Sequence, residues 1–157
     1  MIGPRIGAGR EAEVFAADVD TVVKLYRSGF HGHESEAAAL ACLDGLGVAP
    51  RLIDVTDRHD RRGLVLERLP GVDMLTSLQR RPWRLPDLAQ RLATTHVRIH
   101  EITAPTALPD LRDLLTQRIH DAPMPSPLRD FALRVLSTLP PGDWLTHGDY
   151  HPGNVLV

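Results

Sequence analysis

The sequence is poor in the features that mark export, membrane insertion or nucleic-acid binding. It has a single cysteine, Cys42, so no intrachain disulfide can form, and nothing else favours an exporting compartment. The longest unbroken apolar run, Ala37 to Leu43, has seven residues, far short of the ~20 that a bilayer requires. The start, Met1-Ile2-Gly3-Pro4-Arg5, lacks the apolar core of a signal peptide. No charge of one sign dominates. Lys and Arg number 18 against 20 Asp and Glu, a formal net charge of −2, which argues against a surface built to neutralise many phosphates. The expectation is a soluble, cytoplasmic protein with no membrane and no nucleic-acid partner.

What is present is an ordinary globular composition. Of 157 residues, 43% are apolar and 24% charged, enough side chain to offset the entropy of ordering one core. There is no internal repeat. Glu13 to Ala17 and Thr21 to Arg27 are β-rich runs joined by Asp18-Val19-Asp20, the pattern of a hairpin. Alternation puts Val22, Lys24 and Tyr26 on one face of the second strand, with Val23 and Leu25 on the other. Glu34 to Leu46 reads as a helix, rich in Ala and Leu and closed by Gly45 and Gly47. Strands are expected over Arg51 to Val55 and Gly63 to Leu69. The charged run Asp57 to Arg62 between them reads as a solvated hairpin tip rather than a basic binding patch.

Pro70-Gly71 is a break, and helical patterns follow. Pro86 suits a first helical position, with Leu88, Leu92, His96 and Ile99 in one stripe. Another helix begins near Leu111. A third is expected with Ser126 as its cap, Pro127 in its first turn and Leu128, Phe131, Ala132, Val135 and Leu136 on one face. Strands first and helices second predict an α+β chain of two subregions, 1–70 and 71–157.

Four features carry chemistry. Gly7-Ala8-Gly9 opens a turn in which backbone amides can approach phosphate oxygens. A strand follows it, where the dinucleotide-binding arrangement needs a helix, so that version drops out. Lys24 lies in the next strand, ten residues after Val14, far enough for a tight hairpin to return it beneath the turn. Glu36 shares a helical stripe with Leu40 and Leu43. A carboxylate facing a core needs a partner, and Lys24 is the natural one. Finally, His147-Gly148-Asp149-Tyr150-His151-Pro152-Gly153-Asn154 sets an acid and an amide five residues apart across a Pro-Gly turn. A carboxylate there can take a hydroxyl proton while a neutral oxygen helps hold Mg²⁺, the pair that phosphoryl transfer needs.

Taken together, these motifs resemble the aminoglycoside phosphotransferase and choline kinase family, relatives of the protein kinases, whose loop reads His-Gly-Asp-x-His-x-x-Asn. The resemblance runs in order along nearly the whole chain. It implies a protein-kinase-like, two-lobed α+β fold: a β-rich, nucleotide-binding N-lobe with one helix over 1–70, and a partial helical C-lobe over 71–157. It implies that Gly7, Gly9 and Val14 cover the nucleotide, that Lys24 pairs with Glu36, and that Val22 roofs the adenine. Glu67-Arg68-Leu69 would be the hinge, with Glu67 and Leu69 offering backbone groups. Asp149 would be the catalytic base, Asn154 a Mg²⁺ ligand and His151 an organiser of the loop. ATP (or GTP) with Mg²⁺ would be the cofactors, and a small-molecule hydroxyl the acceptor. Ala12 stands where protein kinases have a third glycine, a departure this family tolerates.

In the family, a hairpin after this loop delivers an aspartate that is the main Mg²⁺ ligand. No acid follows Asn154 here. The resemblance therefore implies a kinase cut before its metal site is finished, with weak nucleotide binding and little turnover. Val155-Leu156-Val157 reads as the first strand of that hairpin, left unpaired and prone to aggregate. Two other readings compete. One is a nucleotide-binding or vestigial module without catalysis. The other is a zinc hydrolase, with His147, Asp149 and His151 alternating on a strand. His96 and His100, at i and i+4 on a helix, read as packing residues rather than a metal pair.

Overall fold

The computed structural model describes residues 2–157. Its N-terminal part is a five-stranded antiparallel sheet: β1 (Arg5–Ala8), β2 (Ala12–Ala16), β3 (Thr21–Tyr26), β4 (Leu52–Arg58) and β5 (Arg61–Glu67), in the order β1-β2-β3-β5-β4. Helix α1 (His33–Leu43) lies between β3 and β4 in sequence. The register matters for the site. Gly7 pairs with Val14, Val14 with Lys24 and Lys24 with Leu64, so these four residues form one line across four strands. Central β3 is buried at Val22, Val23, Leu25 and Tyr26. One apolar cluster joins Ala12, Val22, Tyr26, Leu64 and Leu66 of the sheet to Leu40 of α1.

Several local expectations need adjustment. Helix α1 stops at Leu43 rather than Leu46, because Asp44 turns extended (ψ 137°) ahead of the two glycines. β4 runs on to Arg58 and β5 starts at Arg61, so the charged tip is mostly strand. Only His59 and Asp60 turn, both with positive φ (53° and 58°), as a two-residue hairpin demands. β1 carries Gly7 in its four residues, so its sequence reads as the opening of a turn rather than as a strand.

The remainder is helical: α2 (Met74–Arg80), α3 (Leu85–His100), α4 (Leu111–Asp121) and α5 (Ser126–Thr138). Seven residues are too few for α2 to show a helical period, but its cap is clear. The Asp73 carboxylate accepts from the Thr76 amide at 2.8 Å, and the Thr76 hydroxyl, then that amide, hold its pKa below the usual carboxylate range. Ser126 is not the cap of α5. Pro125, already extended (φ −58°, ψ 142°), occupies that position, and Ser126 is the first helical residue and makes no capping bond. The stripe Leu128, Phe131, Val135 faces α4 across an open apolar groove of about 360 Å³. Two hydrogen bonds pin α3: Arg98 donates to the Leu46 carbonyl after α1 (2.5 Å), and Leu92 accepts from Tyr150 (2.7 Å).

The terminal run is not an unpaired strand. Val157 donates to Val72 at 2.9 Å, Val72 returns a bond at 3.3 Å, and Met74 donates to Val155 at 2.7 Å. Leu156 thus bridges Asp73 in antiparallel fashion. The partner is a segment over eighty residues earlier in the chain, which no local pattern announces. Gly71 makes the approach possible: its φ is +116°, and a Cβ there would sit 2.8 Å from the Val157 carbonyl oxygen. No helix is long and apolar enough to cross a membrane among the described residues.

Candidate active site

The line Gly7–Val14–Lys24 places the lysine two strands away from the Gly-rich hairpin, the return that its spacing predicts. The hairpin is closed by the Gly9 amide on the Ala12 carbonyl at 2.8 Å. A Cβ at Gly7 would come no nearer than 3.6 Å to any protein atom, and at Gly9 no nearer than 3.7 Å. The fold itself therefore does not demand glycine at either position.

Lys24 Nζ binds both oxygens of Glu36, at 2.7 and 2.5 Å. The pair is only partly buried, with 27% and 30% of the two side chains exposed. Its net contribution to stability is therefore small, on the order of 1 kcal/mol or less. Its effect is geometric: a lysine stem is flexible, and a bidentate carboxylate fixes where its charge points. Tyr26, also on β3, donates its hydroxyl to the same Glu36. Strand alternation alone puts Tyr26 on the Lys24 face, but its bond to Glu36 has no signal in the sequence.

Val22 is 8% exposed and sits in the apolar cluster beside Leu66 and Leu40. At the end of β5, the Glu67 amide donates to the Arg51 carbonyl and the Arg68 amide to Asp20. Leu69, which follows them, is 37% exposed.

The second cluster is the loop 147–154. Gly148 turns the chain with φ +75°, and Pro152–Asn154 form a 3₁₀ turn. The Asn154 side-chain amide donates to the Asp149 carbonyl (2.9 Å) and to its carboxylate (3.1 Å). His151 Nδ1 accepts from the Gly153 amide (3.1 Å), and its Nε2 lies 3.7 Å from the Asp149 carboxylate. This is the organising position expected of it. The Asp149 side chain is 79% exposed, open to solvent and to a ligand.

Behind the loop, Tyr150 points the other way. Its hydroxyl binds Leu92, its ring stacks on His96 (4.7 Å, 11°), and His147 meets it edge-on at 5.6 Å. Burial lowers the His147 pKa, opposed by the carboxylates of Asp149 and Glu36.

The zinc reading fails on this geometry. His147, Asp149 and His151 lie on a turning loop, not a strand, so they share no face. No group of three His, Cys, Asp or Glu side chains able to hold a metal occurs among the described residues. His96 packs against Tyr150 and His100, as expected of packing histidines.

A family model of the phosphotransferase enzymes matches residues 3–157. The chain belongs to that family. The match takes in both clusters, Lys24 with Glu36 and Asp149 with Asn154, and it bears out the resemblance drawn from the motifs. No curated protein matches the chain at a significant level. As a member of the phosphotransferase family, it combines an antiparallel sheet carrying a paired lysine with a helical part carrying the acid–amide loop.

Proposed function

We propose that the chain binds ATP (or GTP) between two lobes and transfers its terminal phosphoryl group to the hydroxyl of a small molecule in the cytoplasm. The observation that carries this reading is the Asp149–Asn154 arrangement: an exposed carboxylate, oriented by a neighbouring amide, on a loop fixed from behind. In the proposed reaction Asp149 accepts the acceptor's proton as its oxygen forms a bond to the γ-phosphorus. The bond from that phosphorus to the bridging oxygen breaks, and the nucleoside diphosphate leaves. Lys24, held by Glu36, supplies positive charge to the phosphates. Gly7, Gly9 and Val14 cover them, Val22 lies over the base, and Glu67 and Leu69 bracket its edge.

The described residues fit the nucleotide better than they fit Mg²⁺. The Asn154 side chain offers one neutral oxygen, and the only acid beside it is Asp149, which it already bonds. Mg²⁺ is usually held by one or two carboxylates with phosphates and water, and this loop supplies no second acid. That donor set favours a second reading, nucleotide binding without turnover.

The test is phosphorylation of a panel of aminoglycosides and amino alcohols with ATP and Mg²⁺, alongside ATP binding. Turnover that Asp149→Ala abolishes while ATP binding persists supports transfer. Binding that Lys24→Ala weakens, with no turnover for any acceptor, supports the second reading. Failure to bind any nucleotide sinks both.

A further inference from the structure

Helix α1 reaches the sheet through His33, Glu36 and Leu40, spaced i, i+3 and i+7 on one face. Leu40 enters the apolar cluster. The other two both meet Tyr26. Its ring lies edge-on to the His33 imidazole, 5.9 Å between centroids, and its hydroxyl donates to Glu36.

Tyr26 is 3% exposed, so its hydroxyl needs a protein acceptor in place of water. Burial first, and then the Glu36 carboxylate, push its pKa far up, keeping it a neutral donor. Tyr26 and Lys24 are two apart on β3, so both side chains leave the same face, and Lys24 Nζ lies 5.4 Å from the Tyr26 ring centre. Glu36 therefore receives two donors from one strand, an ammonium and a phenol. The helix starts at His33, after Gly32, without a side-chain cap.

We propose that Tyr26 is a positioning residue for the phosphate-binding lysine: its hydroxyl fixes the Glu36 carboxylate, and the carboxylate aims Lys24. Glutamate and lysine are among the side chains with most rotamer freedom to lose. A carboxylate held by lysine alone can swing with it, whereas a phenol anchored in the core holds one carboxylate oxygen in place. The inference rests on the nucleotide reading above and concerns only the phosphate-dependent part of binding. Adenosine has no phosphate to offer Lys24 and is indifferent to it.

The experiment compares wild type and Tyr26→Phe, which keeps the ring and removes the hydroxyl. ATP and adenosine affinities are measured by calorimetry, and α1 amide hydrogen exchange is followed in parallel. Losing a hydrogen bond to a charged group predicts ATP binding about tenfold weaker, unchanged adenosine binding, and faster exchange confined to α1. In a Glu36→Gln background the same change costs little further ATP affinity, since the two residues act as a unit.

Equal weakening of ATP and adenosine indicates a general packing role and overturns the proposal, as does unchanged ATP affinity. If the wild type binds neither ligand, the nucleotide reading falls, and the exchange data judge Tyr26 independently. Unchanged exchange in α1 then shows that the hydroxyl does not hold Glu36, and a rise confined to α1 shows that it does so without aiming Lys24 at phosphate, so either result overturns the proposal.

Discussion

The side-chain amide of Asn154 spans both the carbonyl and the carboxylate of Asp149, at 2.9 and 3.1 Å. One residue thus sets the backbone turn and aims the acid. Removing the acid and removing its support should therefore differ in degree. If the chain turns over, Asp149→Ala loses about 10² to 10⁴ in kcat, the usual worth of a general base. Asn154→Ala loses at least about tenfold through disorientation, with the Asp149 carboxylate still in place. Steady-state rates of the two variants and of the double variant separate these effects, and non-additivity is the expected result.

Gly71→Ala forces a Cβ to within 2.8 Å of the Val157 carbonyl at a φ of +116°. Left-handed strain alone is worth roughly 1–3 kcal/mol. Denaturant unfolding should show a loss of that order. Gly142→Ala has nothing within 4 Å and should stay within about 0.5 kcal/mol of wild type.

The contrast between these glycines shows where the sequence was readable. Lys24, Glu36, Asp149 and Asn154 could be placed because each belongs to a pattern local to one hairpin, one helix face or one loop. Alternation along β3 was enough to put Tyr26 beside Lys24, although its bond to Glu36 depends on how α1 docks. The pairing of Val155–Val157 with Val72–Met74 depends on all the chain between them, and nothing in either segment names the other. Ser126 misled for the opposite reason: it satisfied a local rule, but the extended Pro125 before it had already started the helix. Helix α2 was missed because seven residues show too little of a period.

Burial lowers the His147 pKa. An imidazole depressed in the folded state binds fewer protons than in the unfolded chain. Its contribution to stability is therefore fully present above the free value of about 6.5 and lost as pH falls through and below it. Thermal unfolding from pH 8 down to pH 5 should show wild type losing stability in that window. His147→Gln, which cannot titrate, should flatten that part of the profile. Asp87, held low by Arg91 and Arg84, acts at lower pH. Its contribution is present above about 4 and fades as pH falls further.

Tyr150→Phe leaves the stack on His96 but removes the bond to the Leu92 carbonyl. The expected cost is about 1 kcal/mol. His96→Ala removes the stack, worth about 0.5–1.5 kcal/mol. Because both act on one side chain, the double variant should cost less or more than the sum by a measurable coupling. Urea unfolding of the four proteins closes the cycle.

The return of Val157 to Val72 has a consequence for the order in which the molecule can be made. The acid–amide loop sits immediately before the closing seam of a circuit that opens at Val72. Every helix from α2 to α5 lies inside that circuit. During synthesis the sheet, with its Lys24–Glu36 pair, can be complete while the loop has nothing to close against. Closing so long a loop is slow, because its entropy is spent before the seam rewards it. The paired lysine should therefore mature early on the ribosome, and the acid–amide loop only after this seam closes.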